Sequence, residues 1–163
     1  PISGIVKLSP EGVPQFRFSR FGSGTGDLYW WHSISVSPGG DSVFVADYNN
    51  KRIQLFVAGS DGITFSADPD WSTDTQGGQY QPLGVALHGT TLFVTQDGEG
   101  LPVLLFDAVT GQKTGELGAG LFQRAHGISV TRSQTLLITD VEANKVFEMS
   151  LNGTILTVYG GGA

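Results

Sequence analysis

Apolar and polar residues alternate with a period of two in four short runs between Leu121 and Gly160: HGISV, TLLITD, KVFEMSL and TILTVYG. Successive side chains of an extended strand point to opposite faces, so each run is predicted to be a strand. Turn residues separate them: TRSQ, VEAN and the pair Asn152-Gly153. An Asn-Gly pair suits a two-residue type I′ hairpin, in which both central residues take positive φ. Four strands joined by hairpins make an antiparallel meander that cannot bury both faces alone. Such a unit requires neighbours of its own kind.

The chain supplies them. HSISVSPGGDSVFVADYNNKRIQLFVAGSDGITF, from His32 to Phe65, matches the first unit run for run. LGVALHGTTLFVTQDGEGLPVLLFDAVTGQKTGEL, from Leu83, is a looser third copy. The copies begin about 40 to 50 residues apart, the repeat length of four-stranded propeller blades. The expected fold is all-β, a single partial β-propeller domain over 1–163 with a half blade at 1–22 and blades at 29–70, 81–118 and 122–160. The half blade is GIVKLS and QFRFSRF around a Pro10-Glu11-Gly12 turn, matching the third and fourth strands of the later units. Propellers typically close with four to eight blades, and an open stack would leave unpaired edges. About three and a half blades, with no initiator Met, therefore point to a piece of a longer polypeptide, closed by its remainder or by another chain.

The first strand of each propeller blade lines the central channel, so its opening residue faces the axis. His32 and His126 hold that place in two units, and Leu83 holds it between them. In a six-bladed ring, alternate blades are related by a third of a turn, so histidines at this position converge. Three imidazoles with one open position form a known catalytic zinc arrangement. Each histidine alone also reads as a polar rim residue, and the third would have to lie in a further blade. Asp47 and Asp140 close the second strands, with Gln96 in their place in the middle unit. Asp47 is expected to clasp the following turn, and Arg52 to make a blade-to-blade salt bridge. Val43, Val45, Ile53, Leu55, Ile34 and Val36 are expected in the core between blades. Tyr29, Trp30 and Trp31 either wall a ligand mouth or pack between blades, packing being the more ordinary role.

Other features narrow the chemistry. GSGTGD resembles a phosphate-binding loop only superficially, because a strand follows it rather than a helix. Asp61, Asp68, Asp70 and Asp74 lack the twelve-residue calcium-loop pattern and read as a solvated surface insertion. A net charge of −6 argues against nucleic acid as a partner. No run is long enough for a membrane helix. The absence of cysteine excludes disulfides and thiolate metal sites. Asn152-Gly153-Thr154 has the form of a glycosylation acceptor, but the hairpin turn already explains it.

The apolar opening strand, then (V/I)(A/T)D, then (R/K)(I/V) at the start of the third strand, resembles the NHL family of β-propellers. HSISV…FVADYNNKRIQLF, a looser blade, then GELG and HGISV…ITDVEANKVFEM, is similar to the later blades of the peptidyl-α-hydroxyglycine α-amidating lyases (peptidylamidoglycolate lyases). GIVKLSPEGVPQFRF is similar as well. The resemblance implies a six-bladed ring with a central zinc held by three histidines from alternate blades, His32 and His126 being two of them. It implies cleavage of a peptidyl-α-hydroxyglycine substrate to a peptide amide and glyoxylate. The metal would act as a Lewis acid while a base removes the hydroxyl proton. It also implies a secretory or extracellular location.

Several positions depart from the family. Arg124 stands where the family has Met two residues before the last zinc histidine, and Gly127 replaces an Asp tied to a structural calcium, which puts the calcium in doubt. Phe44 and Leu55 occupy the places of a cysteine bridge in the animal enzymes. Tyr48 lies in a different blade from the family's catalytic Tyr. Arg124, beside the channel mouth, reads as a contact for an anionic substrate or as a salt bridge to a neighbouring loop. The alternative function is a non-catalytic NHL propeller, a protein-interaction scaffold in a larger assembly.

Overall fold

The computed structural model describes residues 4–73 and 81–161. Every regular element among them is a strand. β1 (Ile5–Leu8) and β2 (Pro14–Phe18) form an antiparallel hairpin, and β3 (Arg20–Phe21) and β4 (Asp27–Leu28) a short parallel pair. Three four-stranded antiparallel sheets follow, each in chain order. The first blade is β5 (Trp31–Val36), β6 (Ser42–Asp47), β7 (Arg52–Ala58) and β8 (Phe65–Ala67). The middle blade is β9 (Pro82–His88), β10 (Thr91–Gln96), β11 (Val103–Asp107) and β12 (Lys113–Leu117). The last is β13 (Ala125–Val130), β14 (Thr135–Asp140), β15 (Lys145–Ser150) and β16 (Ile155–Gly160). β5 packs against β9 and β9 against β13, so the innermost strands stand side by side as in a propeller.

Period-two alternation divides each blade between its two neighbours. Phe44, Ala46, Ile53 and Leu55 pack forward onto Val85, Leu92, Val94, Leu104 and Phe106 of the middle blade. Val43, Val45, Phe56 and Phe65 pack back onto Phe18 and Leu28. On the far side of the middle blade, Phe93 and Val103 meet Leu136, Ile138, Phe147 and Met149. The middle strands are covered on both faces, which is why VFVA and LFV read as continuous apolar runs. Each fully buried Phe or Ile stabilises the stack by about 1.5–3 kcal/mol through apolar surface removed from water.

Four expectations need correction. Ile34 and Val36 are not core: they are 49% and 48% exposed. They lie opposite Val45 and Val43, on the face turned toward β1–β2, but that hairpin covers only the outer part of the blade. Ser33 and Ser35, which alternate with them, face the other way, where their hydroxyls accept the Val85 and Leu87 N–H groups at 3.3 and 3.0 Å. The Asn152-Gly153 turn is not type I′. Positive φ is confined to Gly153, and the link spans four residues closed by Ser150 N–H to Thr154 O (2.8 Å) and Gly153 N–H to Ser150 O (3.0 Å). The Ser150 hydroxyl bonds Asn152 Oδ1 and takes the Thr154 N–H, stabilising that longer loop.

The irregular stretch after β7 is not merely a solvated insertion. It carries β8, and then Trp71, which is buried against Phe44 and donates its indole N–H to Ala108 O at 2.9 Å. Thr73 Oγ1 accepts the Ile53 N–H at 2.9 Å. Asp61 and Asp68 cap their own turns, while Asp74 lies outside the described residues. Among the described residues Arg52 makes no salt bridge between blades. Its Nε pairs with Asp47 Oδ2 of the same blade at 2.9 Å, and its Nη2 reaches Gly24 O and Asp27 O in the preceding connection.

Candidate functional site at the channel mouth

Two devices aim the channel residues. The first is the carboxylate that closes each second strand. Asp47, fully buried, takes the Tyr29 N–H at 2.7 Å and is held in turn by Asn50, Arg52 and Gln54. Asp140 takes the Gln123 and Arg124 N–H groups at 2.7 and 2.9 Å, and that of Ala143 at 3.0 Å. Burial opposes its charge, but these backbone donors outweigh that and hold its pKa below the usual carboxylate value. The segment leading into each histidine is therefore clamped by a buried carboxylate. In the middle blade Gln96 donates to Pro102 O instead, and its Oε1 is buried without a partner among the described residues.

The second device is a β-bulge, which re-aims a side chain by adding one unpaired residue. Trp31 lies opposite Asp47 but Ser33 opposite Ala46, Pro82 opposite Gln96 but Val85 opposite Val94, and Ala125 opposite Asp140 but Ile128 opposite Ile138. Each innermost strand thus gains one residue where His32, Leu83 or His126 sits. Around His126 the bulge is fastened to the middle blade: Thr95, fully buried, donates its hydroxyl to His126 O and accepts the Gly84 N–H. Gly84 permits this approach, since a Cβ there would lie 2.6 Å from His126 O.

The outcome is a cluster drawn from three blades. The His32 and His126 rings have centroids 5.8 Å apart, and the Tyr48 ring lies 4.6 Å from that of His32. Leu83, between them in sequence order, is buried. Asp97 is the hub. It accepts the Tyr48 hydroxyl on Oδ2 and Arg124 Nε on Oδ1 at 2.7 Å. Arg124 also contacts Glu142 at 3.5 Å, so the salt bridge to neighbouring loops is the contact the structure displays for it. Tyr48 and Asp97 each directly follow the last residue of a second strand, the same blade position. The sequence pattern singles out neither: Asp97 falls in a turn, and Tyr48 invites comparison only with a catalytic tyrosine of another blade. The available signal was this shared position just beyond the clamp.

Electrostatics follow from the geometry. The Arg124 hydrogen bond, aided by the Tyr48 hydroxyl, holds Asp97 below its usual pKa. The same bond to Asp97 pushes the Tyr48 phenol up. Burial, then the neighbouring His126, lowers His32, with the Asp97 charge opposing. The lowered His32 pKa favours the neutral ring, the form in which an imidazole binds a metal. Among the described residues no group of three or more His, Cys, Asp or Glu is gathered to hold a metal ion. No helix long and apolar enough to cross a membrane is present among them.

No protein-family model matches the chain, and no curated protein matches it. Solved structures do. Virginiamycin B lyase from Staphylococcus aureus is 16% identical with a TM-score of 0.64, over 96% of this chain and 48% of that one. Myxococcus xanthus glutaminyl cyclase is 12% identical with a TM-score of 0.60, over 90% and 57%. A chain of a nidogen/laminin complex is 17% identical with a TM-score of 0.59, over 81% and 48%. The chain thus spans about half the length of the structures it resembles. Identities this low carry the architecture alone, and on that measure the chain has the β-propeller fold.

Proposed function

We propose that His32 and His126 are two ligands of one zinc ion on the channel axis of an NHL-type propeller lyase acting on peptidyl-α-hydroxyglycine. The observation that carries this reading is the 5.8 Å between the two imidazole centroids. Two imidazoles on one tetrahedral ion with Zn–N of about 2.0–2.1 Å have centroids roughly 5 Å apart, so a small ring rotation suffices. The pair fits as two ligands, and the third is assigned to a blade outside these 163 residues. A zinc ion there would supply Lewis-acid polarisation of a substrate oxygen.

The chain's own residues divide the remaining work. His32 and His126 present their ring nitrogens. Arg124, whose side chain is 40% exposed, meets a substrate carboxylate at the rim by sharing its guanidinium with Asp97. Tyr48, whose phenol proton is given to Asp97, orients that carboxylate rather than serving as the base. In the reaction the hydroxyl proton passes to a base, the carbon–nitrogen bond breaks, the C–O bond becomes the carbonyl of glyoxylate, and the amide nitrogen takes a proton. Support from the fold is general: two of the similar structures are enzymes, and a histidine-to-alanine variant of the virginiamycin B lyase is catalytically inactive. On this reading the protein is secretory or extracellular, and its partners are a peptide substrate and the rest of the ring.

The test is zinc affinity and glyoxylate release by the full-length protein and its His32→Ala and His126→Ala variants. Each substitution is expected to weaken zinc at least about 100-fold and to abolish glyoxylate release. Unchanged zinc affinity in both variants sinks the proposal. One comparison favours the alternative scaffold role: a similar propeller chain belongs to a nidogen/laminin complex. Under that reading both alanine variants keep full binding to the partner.

A further inference from the structure

Beside the imidazole pair lies an apolar wall that neither the ion pairs nor a metal explains. Trp30, Trp31 and His32 line a shallow hollow of about 330 Å³. Trp31 is partly buried against the cluster containing Phe18 and Leu28. Trp30 is 67% exposed, yet its backbone is held at φ 53°. A bulky residue in the left-handed region is disfavoured and persists only where its surroundings impose it. They do so here. The Tyr29 N–H is bound by Asp47, the Tyr29 carbonyl takes the Asn49 N–H at 3.0 Å, and Trp31 is paired opposite Asp47. The same stretch of the last blade, Gln123-Arg124-Ala125, has no positive φ, because Asp140 takes two consecutive N–H groups there. Among the described residues the left-handed tryptophan is thus particular to the first blade.

We infer that this hollow is a side-chain subsite for an aromatic or branched apolar residue of a peptide ligand, adjoining the group held at the His32–His126 pair. Three features of the hollow identify the occupant. The hollow shares His32 with the cluster, its size suits one large side chain, and two indoles give it the flat apolar surface that aromatic rings prefer. A second hollow, of about 460 Å³, lies on the His126 side and is polar, lined by Glu99, Gln123, Arg124 and Glu142. The ligand that fits both is amphipathic: an apolar side chain over Trp30 and Trp31, and a carboxylate toward Arg124. The inference rests on the proposed site for the polar end of that ligand and adds its specificity.

The experiment is calorimetric titration of the full-length protein with N-acetyl-Phe-Gly and N-acetyl-Ala-Gly, with and without zinc. The Phe peptide is expected to bind about tenfold or more tightly. Trp30→Gly, which suits the left-handed backbone, should erase that preference while leaving zinc affinity and the thermal melt unchanged. Equal affinities for the two peptides, or a preference that survives Trp30→Gly, overturn the subsite. If zinc binds the histidines and the peptides do not differ, the subsite falls and the metal site stands. If the Phe preference depends on Trp30 but zinc does not bind, the subsite stands and the metal reading falls.

Discussion

Asp97→Asn tests whether the three blades are tied together at the channel mouth. The substitution keeps the shape and removes the charge. At present the two carboxylate oxygens each accept one donor, Tyr48 from the first blade and Arg124 from the segment entering the last. An amide offers one acceptor and one donor. The phenol can rotate to accept from the amide, so one charge-assisted bond is lost. Hydrogen bonds to charged groups contribute about 1.5–3 kcal/mol, but exposed ion pairs only about 0–1 kcal/mol. Arg124 is 40% exposed and Asp97 18%, which places the loss at about 1–2 kcal/mol. With a urea slope of about 2 kcal/mol per molar, the unfolding midpoint should drop by about 0.5–1 M. Double-mutant cycles with Tyr48→Phe and Arg124→Met should each return a coupling of at least about 0.5 kcal/mol. The acid limb carries the same signature. Because the pKa of Asp97 is depressed in the folded state, its contribution is complete above the unfolded carboxylate value and is lost as pH falls through the folded one, a loss absent from Asp97→Asn. A midpoint shift below about 0.2 M together with zero coupling would refute the reasoning.

Gly84→Ala places a methyl 2.6 Å from His126 O and 2.8 Å from Thr95 Oγ1, and should cost about 1–3 kcal/mol in chemical denaturation while broadening the His126 ring resonances. Trp71→Ala empties the space beside Phe44 and removes a hydrogen bond, for a loss of about 3–5 kcal/mol by the same measurement. The His32 imidazole, followed by NMR, should titrate below the free value near 6.5, and lower still in Asp97→Asn, since the Asp97 charge opposes the shift. Its stabilisation is full above the unfolded pKa. It declines as pH falls from there toward the folded value, because the unfolded chain takes up the proton first.

Much of the architecture was legible because alternation is a direct imprint of the pleat. Phe44 and Val45 face opposite blades, so a strand buried on both sides shows itself as an unbroken apolar run flanked by turn residues. What the pattern could not convey was which faces are covered. Ile34 and Val36 have the same chemistry and the same register as Val45 and Val43, and only the reach of the β1–β2 hairpin separates exposed from buried. The Asn-Gly pair misled because the Ser150 and Asn152 side chains bond within the loop and stabilise a longer connection. At the channel, equivalent blade positions showed where His32 and His126 stand, since position in the repeat sets position around the axis. Asp97 and Tyr48 escaped notice because their importance is relational. Neither type nor spacing announces that a phenol, a carboxylate and a guanidinium from three units meet.

The extra residue at the start of every innermost strand has a consequence for how such proteins diversify. Because the blade with Leu83 carries it as well as the blades with histidine, orientation toward the axis is a property of the repeat and not of the side chain. A single codon change at that one address can add, delete or exchange a donor on the axis without rebuilding any backbone. The ring behaves like a turret with one interchangeable fitting per blade, whose chemistry drifts independently of the frame that carries it.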